Sequence, residues 1–216
     1  MTNKSIVRAL FELVGKKPAQ TSLVFIPTAA NIEEGSKEWI INDLYNIKKL
    51  GLKFLDVVDI SALPKKVWLP RLKRADVIFF SGGNTSHLMY WLEKSGLAKL
   101  LPKLLKTRVY AGISAGSIVT APTLELSNKD KRLYYEKSFG YKNKKALGFV
   151  NFHIRPHLNS AHFPKIRKKF LEEIAERIRE PIYAIDDQSA IKVINGKVKV
   201  ITEGSYIVLN KSLLAK

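Results

Sequence analysis

The sequence has no cysteine. That excludes disulfide staples, a thiolate nucleophile and any cysteine-ligated metal centre. Lys4, Arg8, Glu12, Lys16 and Lys17 interrupt any apolar run of the signal-peptide kind, so the expected compartment is the cytoplasm. No stretch approaches the roughly 18 to 20 apolar residues of a bilayer-spanning helix, and no membrane partner is expected. Acidic residues are also scarce: 19 Asp and Glu face 37 Lys and Arg, a net charge of +18. Such an excess attracts nucleic acid, anionic surfaces or acidic substrates. The basic residues, however, are spread along the whole chain. Their densest groups are Lys142, Lys144 and Lys145, then Lys165, Arg167, Lys168 and Lys169. Neither is interleaved with stacking aromatics in an RNA-binding pattern. The charge reads as a solvated basic surface, and nucleic acid is not the expected partner.

What is present is a chain of 216 residues, 46% of them apolar, with no repeat or low-complexity linker. It is expected to form one domain over residues 1–216. Two hydrophobic periods alternate along it, which indicates an α/β layer fold. Helical patterning covers residues 5–15, 34–50, 85–94, 97–106 and 161–179. Strand-like runs cover 22–27, 53–58, 74–80, 108–112, 146–156, 182–185, 190–194, 198–201 and 205–209. Asn195-Gly196 signals a two-residue hairpin. Helices between strands predict a mostly parallel sheet sandwiched by helices, and the tail adds antiparallel strands. Sites in such sheets form beyond the carboxyl ends of the strands.

Two glycine turns sit at such ends. Gly112-Ile113-Ser114-Ala115-Gly116 follows an apolar run and opens a short apolar segment, the setting of a nucleophile elbow. A serine in so tight a turn needs neighbours nearly free of side chains, and Gly112 and Gly116 meet that need. The Ala115 N–H would then lie beside a developing oxyanion. The other turn, Gly82-Gly83-Asn84, lets backbone approach a ligand closely and offers a second N–H. It is neither a dinucleotide fingerprint nor a phosphate loop, because G-x-G-x-x-G and G-K-[ST] are both absent.

A serine nucleophile needs a base, and four histidines are available. His87 falls in a helix and reads as a surface or packing residue. His162 begins the basic 161–179 helix and reads as a cap or a solvated group. His153 and His157 share one face of a strand over 147–157. His157 lies at its open end, whereas His153 lies four residues deeper and reads as packed. His157 is therefore the expected base. A third member would be a carboxylate, with Glu125, Asp130 and Glu136 lying between serine and base; spacing does not choose among them, and a bare dyad stays open.

The assembled motifs resemble the dipeptidase E and cyanophycinase family of serine peptidases. The resemblance runs from Phe25-Ile26-Pro27-Thr28-Ala29 through Ala75 to Phe79, Gly82-Gly83-Asn84-Thr85 and Tyr110 to Ser117, ending at Pro156-His157. It implies a fold related to class I glutamine amidotransferases and cleavage of short or aspartyl-linked peptides without metal or other cofactor. It further implies Ser114 as nucleophile, His157 as base, and the N–H groups of Gly83 and Ala115 as oxyanion donors. Asn84 and Thr85 are assigned to substrate binding. Some members carry an aspartate fifteen residues after the nucleophile, where this chain has Lys129; others carry a glutamate eleven residues after it, matched by Glu125. The resemblance thus favours Glu125 as the acid, with Asp130 as the alternate. Arg155, two residues before His157, is the candidate holder of a substrate carboxylate. Members also place a strand before the opening helix, of which Met1 to Asn3 reads as the remnant. Other outcomes are a binding module without turnover, which Lys129 would suit, and a nucleic-acid-binding protein resting on the net charge alone. A homodimer is also left open.

Overall fold

Continuous burial along two short strands, at 22–26 and 77–80, sets the central layer. The computed structural model describes residues 3–211. After α1 (Lys4–Val14), β1 (Ser22–Ile26) leads into the short α2 (Thr28–Asn31), then α3 (Glu38–Lys48), β2 (Phe54–Val57), α4 (Lys65–Arg74) and β3 (Val77–Phe80). Next come α5 (Thr85–Lys94), α6 (Leu97–Leu104), β4 (Val109–Gly112), the short α7 (Ala115–Ile118) and α8 (Lys129–Phe139). The chain continues through β5 (His153–Arg155), α9 (Lys168–Ala175), β6 (Ile182–Ile185), β7 (Ser189–Ile194), β8 (Lys197–Thr202) and β9 (Tyr206–Leu209).

Strands β2-β1-β3-β4 form a parallel sheet in that order. Val24, Ile26, Ile78 and Phe80 face one side, packed on Trp68 and Leu72 of α4, Leu88 and Leu92 of α5, and Leu101 of α6. Leu23, Phe25, Val77 and Phe79 face the other, against Leu10 of α1 and Ile40 and Ile47 of α3. Both faces of β1 and β3 are covered, which is why these strands are unbroken apolar runs. Gly96, in the left-handed region at φ 77°, separates α5 from α6 where the sequence placed a break.

A second sheet has the order β5-β6-β9, with β5 and β6 parallel and β9 antiparallel to β6. The β7–β8 hairpin turns at Asn195 and Gly196, both with positive φ, as a tight primed turn requires.

Two expectations need correction, and two helices, α4 and α8, went unread in the sequence. The 146–156 run pairs only over His153–Arg155. The 161–179 helix is confined to Lys168–Ala175; turns fill residues 158–167, with Asn159 at φ 60° and Pro164 among them. Helix α8 went unread because its sequence is polar nearly all round, with Tyr135 its only buried residue. Of the remnant-strand segment, Met1 and Thr2 lie outside the described residues, and Asn3 occupies the N-cap position of α1. No helix among the described residues is long and apolar enough to cross a membrane.

Candidate active site

Ser114 stands between β4 and α7 at φ 48°, ψ −108°, a backbone conformation costly for a residue with a side chain. The chain around it is held by contact. A Cβ on Gly112 would come within 2.5 Å of the Gly116 backbone, and one on Gly116 within 2.5 Å of the Phe80 carbonyl oxygen. Glycine is thus required on both sides of the serine for the turn to close against β3. Hydrogen bonds complete the clamp: Ser117 Oγ donates to the Gly112 carbonyl at 2.7 Å, and the Tyr110 hydroxyl to the Gly116 carbonyl at 2.5 Å. Burial pushes the Tyr110 phenol far up, so it remains a donor.

The second glycine turn abuts the first. A Cβ on Gly82 would lie 3.3 Å from Ser114 Cβ and 3.6 Å from the Trp39 ring, which places that partly exposed indole beside Ser114. Gly83 takes φ 128°, and a Cβ there would sit 2.1 Å from the Ala29 carbonyl oxygen. Gly83→Ala is therefore expected to lower unfolding stability by about 1–3 kcal/mol, the scale of backbone strain in an unfavourable region. A thermal melt checks this, and an unchanged Tm would show that the turn has room. Among the described residues, the backbone N–H groups of Gly83 and Ala115 donate to no acceptor, so both are free for a ligand.

His157 also has positive φ, 67°, just past β5. Its Nε2 lies 3.0 Å from Ser114 Oγ, and its Nδ1 lies 2.7 Å from Asp187 Oδ1. With the ring proton on Nδ1, the imidazole donates to Asp187 and accepts from the serine hydroxyl. Phe163 stacks on the ring at 4.2 Å between centroids, 15° from parallel. The hydrogen bond from His157 is the main cause holding the Asp187 carboxyl below its usual value, with burial working against it.

The structure thus brings Ser114 and His157 together as the sequence suggested, but the acid beside the imidazole is Asp187. Glu125 is exposed between the buried Leu124 and Leu126, and its carboxylate makes no hydrogen bond to His157 among the described residues. Asp130 lies in the exposed first turn of α8, where its N–H bonds the Asn128 cap. The sheet register explains the difference. Arg155 pairs with Ala184 across β5 and β6, and the Leu158 N–H donates to the Ile185 carbonyl at 3.0 Å. The residues just past β6 therefore lie alongside His157. Asp187 follows His157 in the chain, outside the interval between serine and base, and its signal was the Asp186-Asp187 pair between two strands.

The remaining candidates divide. His153 is 1% exposed, and burial pushes its pKa down, as fits a packed neutral ring. His87 packs within the fold, 3.1 Å from the Tyr135 hydroxyl, and His162 is exposed. Arg155 donates from Nη1 to the Leu126 carbonyl, which ties the loop carrying Glu125 to β5. Asn84 caps α5, its side-chain oxygen accepting from the His87 N–H at 3.0 Å. With Gly83 and Thr85 it lines a small cleft closed on the far side by Asn128 and Lys131.

Known proteins resemble this arrangement along most of its length. An uncharacterized peptidase of Listeria monocytogenes is 31% identical over 93% of this chain and 94% of its own. Peptidase E of Streptomyces coelicolor is 29% identical over 86% of this chain and 73% of its own. A crystal structure assigned as a candidate Peptidase E of Listeria monocytogenes superimposes with a TM-score of 0.76 at 26% identity, covering 93% and 95% of the two chains. The model of "Peptidase family S51" matches residues 1–201, so the chain belongs to peptidase family S51 and is a serine peptidase, a hydrolase of peptide bonds.

Proposed function

We propose that the protein hydrolyses short or aspartyl-linked peptides through an acyl-enzyme on Ser114, with His157 as base and Asp187 as the acid that orients it. The observation carrying this reading is the continuous hydrogen-bond chain from Asp187 through His157 to a serine in a strained turn. Ser114 Oγ attacks the scissile carbonyl carbon while its proton passes to His157 Nε2. The oxyanion forms between the free N–H groups of Gly83 and Ala115. The carbon–nitrogen bond then breaks, and the leaving amine takes the proton from Nε2. Water next attacks the acyl carbon and gives a proton to His157; that proton returns to Ser114 Oγ as the acid product leaves. Throughout, Asp187 stays ionised and stabilises the imidazolium.

A dipeptide panel combined with a serine-directed phosphonate tests the reading. Hydrolysis together with a covalent mass increase on Ser114, absent from Ser114→Ala, is the expected result. Hydrolysis unchanged in Ser114→Ala would overturn it, as would no turnover and no label in the wild type.

Aspartyl preference is assigned to Arg155, whose Nε and Nη2 are bonded to nothing among the described residues. A guanidinium reads a carboxylate well where water is partly excluded. Arg155→Met is expected to reduce the preference for aspartyl over matched asparaginyl peptides by about 1.5 to 3 kcal/mol, the scale of a charged hydrogen bond. Equal losses on both substrates would confine Arg155 to holding the Leu126 loop.

A further inference from the structure

The side chain of the acid beside His157 is 57% exposed, and polar contacts with His157 and Ser160 rather than packing hold its carboxylate. Where that carboxylate starts from is set by the backbone of the β6–β7 turn. The neighbouring residue restrains that turn. Asp186 Oδ1 accepts from the Gln188 N–H at 3.0 Å and from Ser189 Oγ at 2.6 Å. Its Oδ2 accepts from the Ser205 N–H at 2.5 Å and from Ser205 Oγ at 3.3 Å. A carboxylate has about four acceptor positions, so this one is saturated. The Asp186 backbone is tied as well: its N–H donates to the Ser205 carbonyl at 3.1 Å, and its carbonyl accepts from the Ser189 N–H at 3.3 Å. Gly204 is fitted to the same carboxylate, because a Cβ there would lie 2.1 Å from Asp186 Oδ2.

The β6–β7 turn is thereby fastened to the β8–β9 turn by the Asp186 carboxylate together with two backbone hydrogen bonds, from the Asp186 N–H to the Ser205 carbonyl and from the Glu203 N–H to the Gln188 carbonyl, each at 3.1 Å. The β8–β9 turn is anchored in its own right: the Glu203 carboxylate accepts from the Ser5 N–H at 2.8 Å and Ser5 Oγ at 2.6 Å, at the start of α1. The restraint runs from α1 through Glu203 and the 203–205 turn to Asp186, one residue from the acid.

We propose that Asp186 is a positioning residue for the hydrolysis, fixing the turn that presents Asp187 to His157, with Gly204 its fitted counterpart. This rests on the reading of Asp187 as the orienting acid. Asp186→Asn puts an amide N–H against one of the N–H or O–H donors it now accepts, and the turn must shift. A displacement on the order of 1 Å in a catalytic group costs up to about 100-fold in rate. The expected result is a kcat about 10- to 100-fold lower with KM unchanged.

A structural defect alone would also lower activity, so the deciding readout is a double-variant cycle. If Asp186 acts through Asp187, adding Asp186→Asn to Asp187→Asn lowers kcat little further. The full multiplied loss in the double variant would overturn the positioning role. The downfield proton resonance of the His157–Asp187 hydrogen bond gives a second reading, expected to weaken in Asp186→Asn. Should Asp186→Asn not fold, Gly204→Ala imposes the same displacement from the partner side and is expected to give the same kcat loss and weakened resonance; wild-type values for both would overturn the role. A fully active Asp186→Asn beside an inactive Asp187→Asn would overturn the positioning role alone. A fully active Asp187→Asn would remove the triad reading, and the positioning role with it.

Discussion

Ser114→Ala is expected to lower kcat for peptide hydrolysis by about 10⁴- to 10⁶-fold, and His157→Ala by nearly as much. The double variant loses little more, because a nucleophile without its base and a base without its nucleophile fail at the same step. The geometry requires this shared fate: one hydrogen bond of 3.0 Å links Ser114 Oγ to His157 Nε2 and is the path of the transferred proton. Purified variants compared at saturating substrate measure it. Losses that multiply in the double variant would mean the two groups serve separate steps. His153→Ala is the matched control. Its ring is buried in the fold and makes no hydrogen bond among the described residues, so its removal costs stability through a cavity. Folded His153→Ala is expected to turn over normally; loss of turnover there with activity kept in His157→Ala would exchange the two histidines.

The pairing of Ser114 with His157 was legible in the sequence because each residue is marked locally. Ser114 is bracketed by glycines that the packing demands, since neither Gly112 nor Gly116 has room for a Cβ. His157 follows closely on β5, at the end where its parallel pairing with β6 opens. Strands β1 and β3 were legible for a related reason, as continuous apolar runs covered on both faces. The acid carries no such local mark. Asp187 reaches the imidazole through the register between β5 and β6, a pairing set by tertiary packing. Glu125 drew attention by its distance from the serine, yet the buried Leu124 and Leu126 on either side turn it outward. Arg155 shows the opposite limit: strand alternation placed it near His157, but only the fold reveals that part of its guanidinium holds the Leu126 carbonyl. Helix α8 lacked an apolar stripe for the same kind of reason. It is capped by Asn128 and buries little more than Tyr135, so its evidence lies in the cap rather than in periodicity.

Asp187→Asn is expected to reduce kcat by about 10²- to 10⁴-fold while leaving the fold intact, the range found when a triad acid becomes an amide. The amide presents the histidine with a neutral partner that neither fixes the productive tautomer nor stabilises the imidazolium. Glu125→Gln and Asp130→Asn are the controls, and both are expected to keep near-wild-type kcat because neither side chain contacts His157. A large loss at either control with none at Asp187→Asn would return the role to that residue. A second measurement follows from titration. Asp187 is held below its usual carboxylate value mainly by the hydrogen bond from His157. A group with a lowered folded-state pKa contributes stability that is present above its unfolded value, near 3.9, and lost as pH falls through the folded value. The wild type is therefore expected to lose stability relative to Asp187→Asn progressively as pH falls below about 5. A gap between the two proteins that stays unchanged from about pH 5 down to about pH 2 would remove the linkage from Asp187.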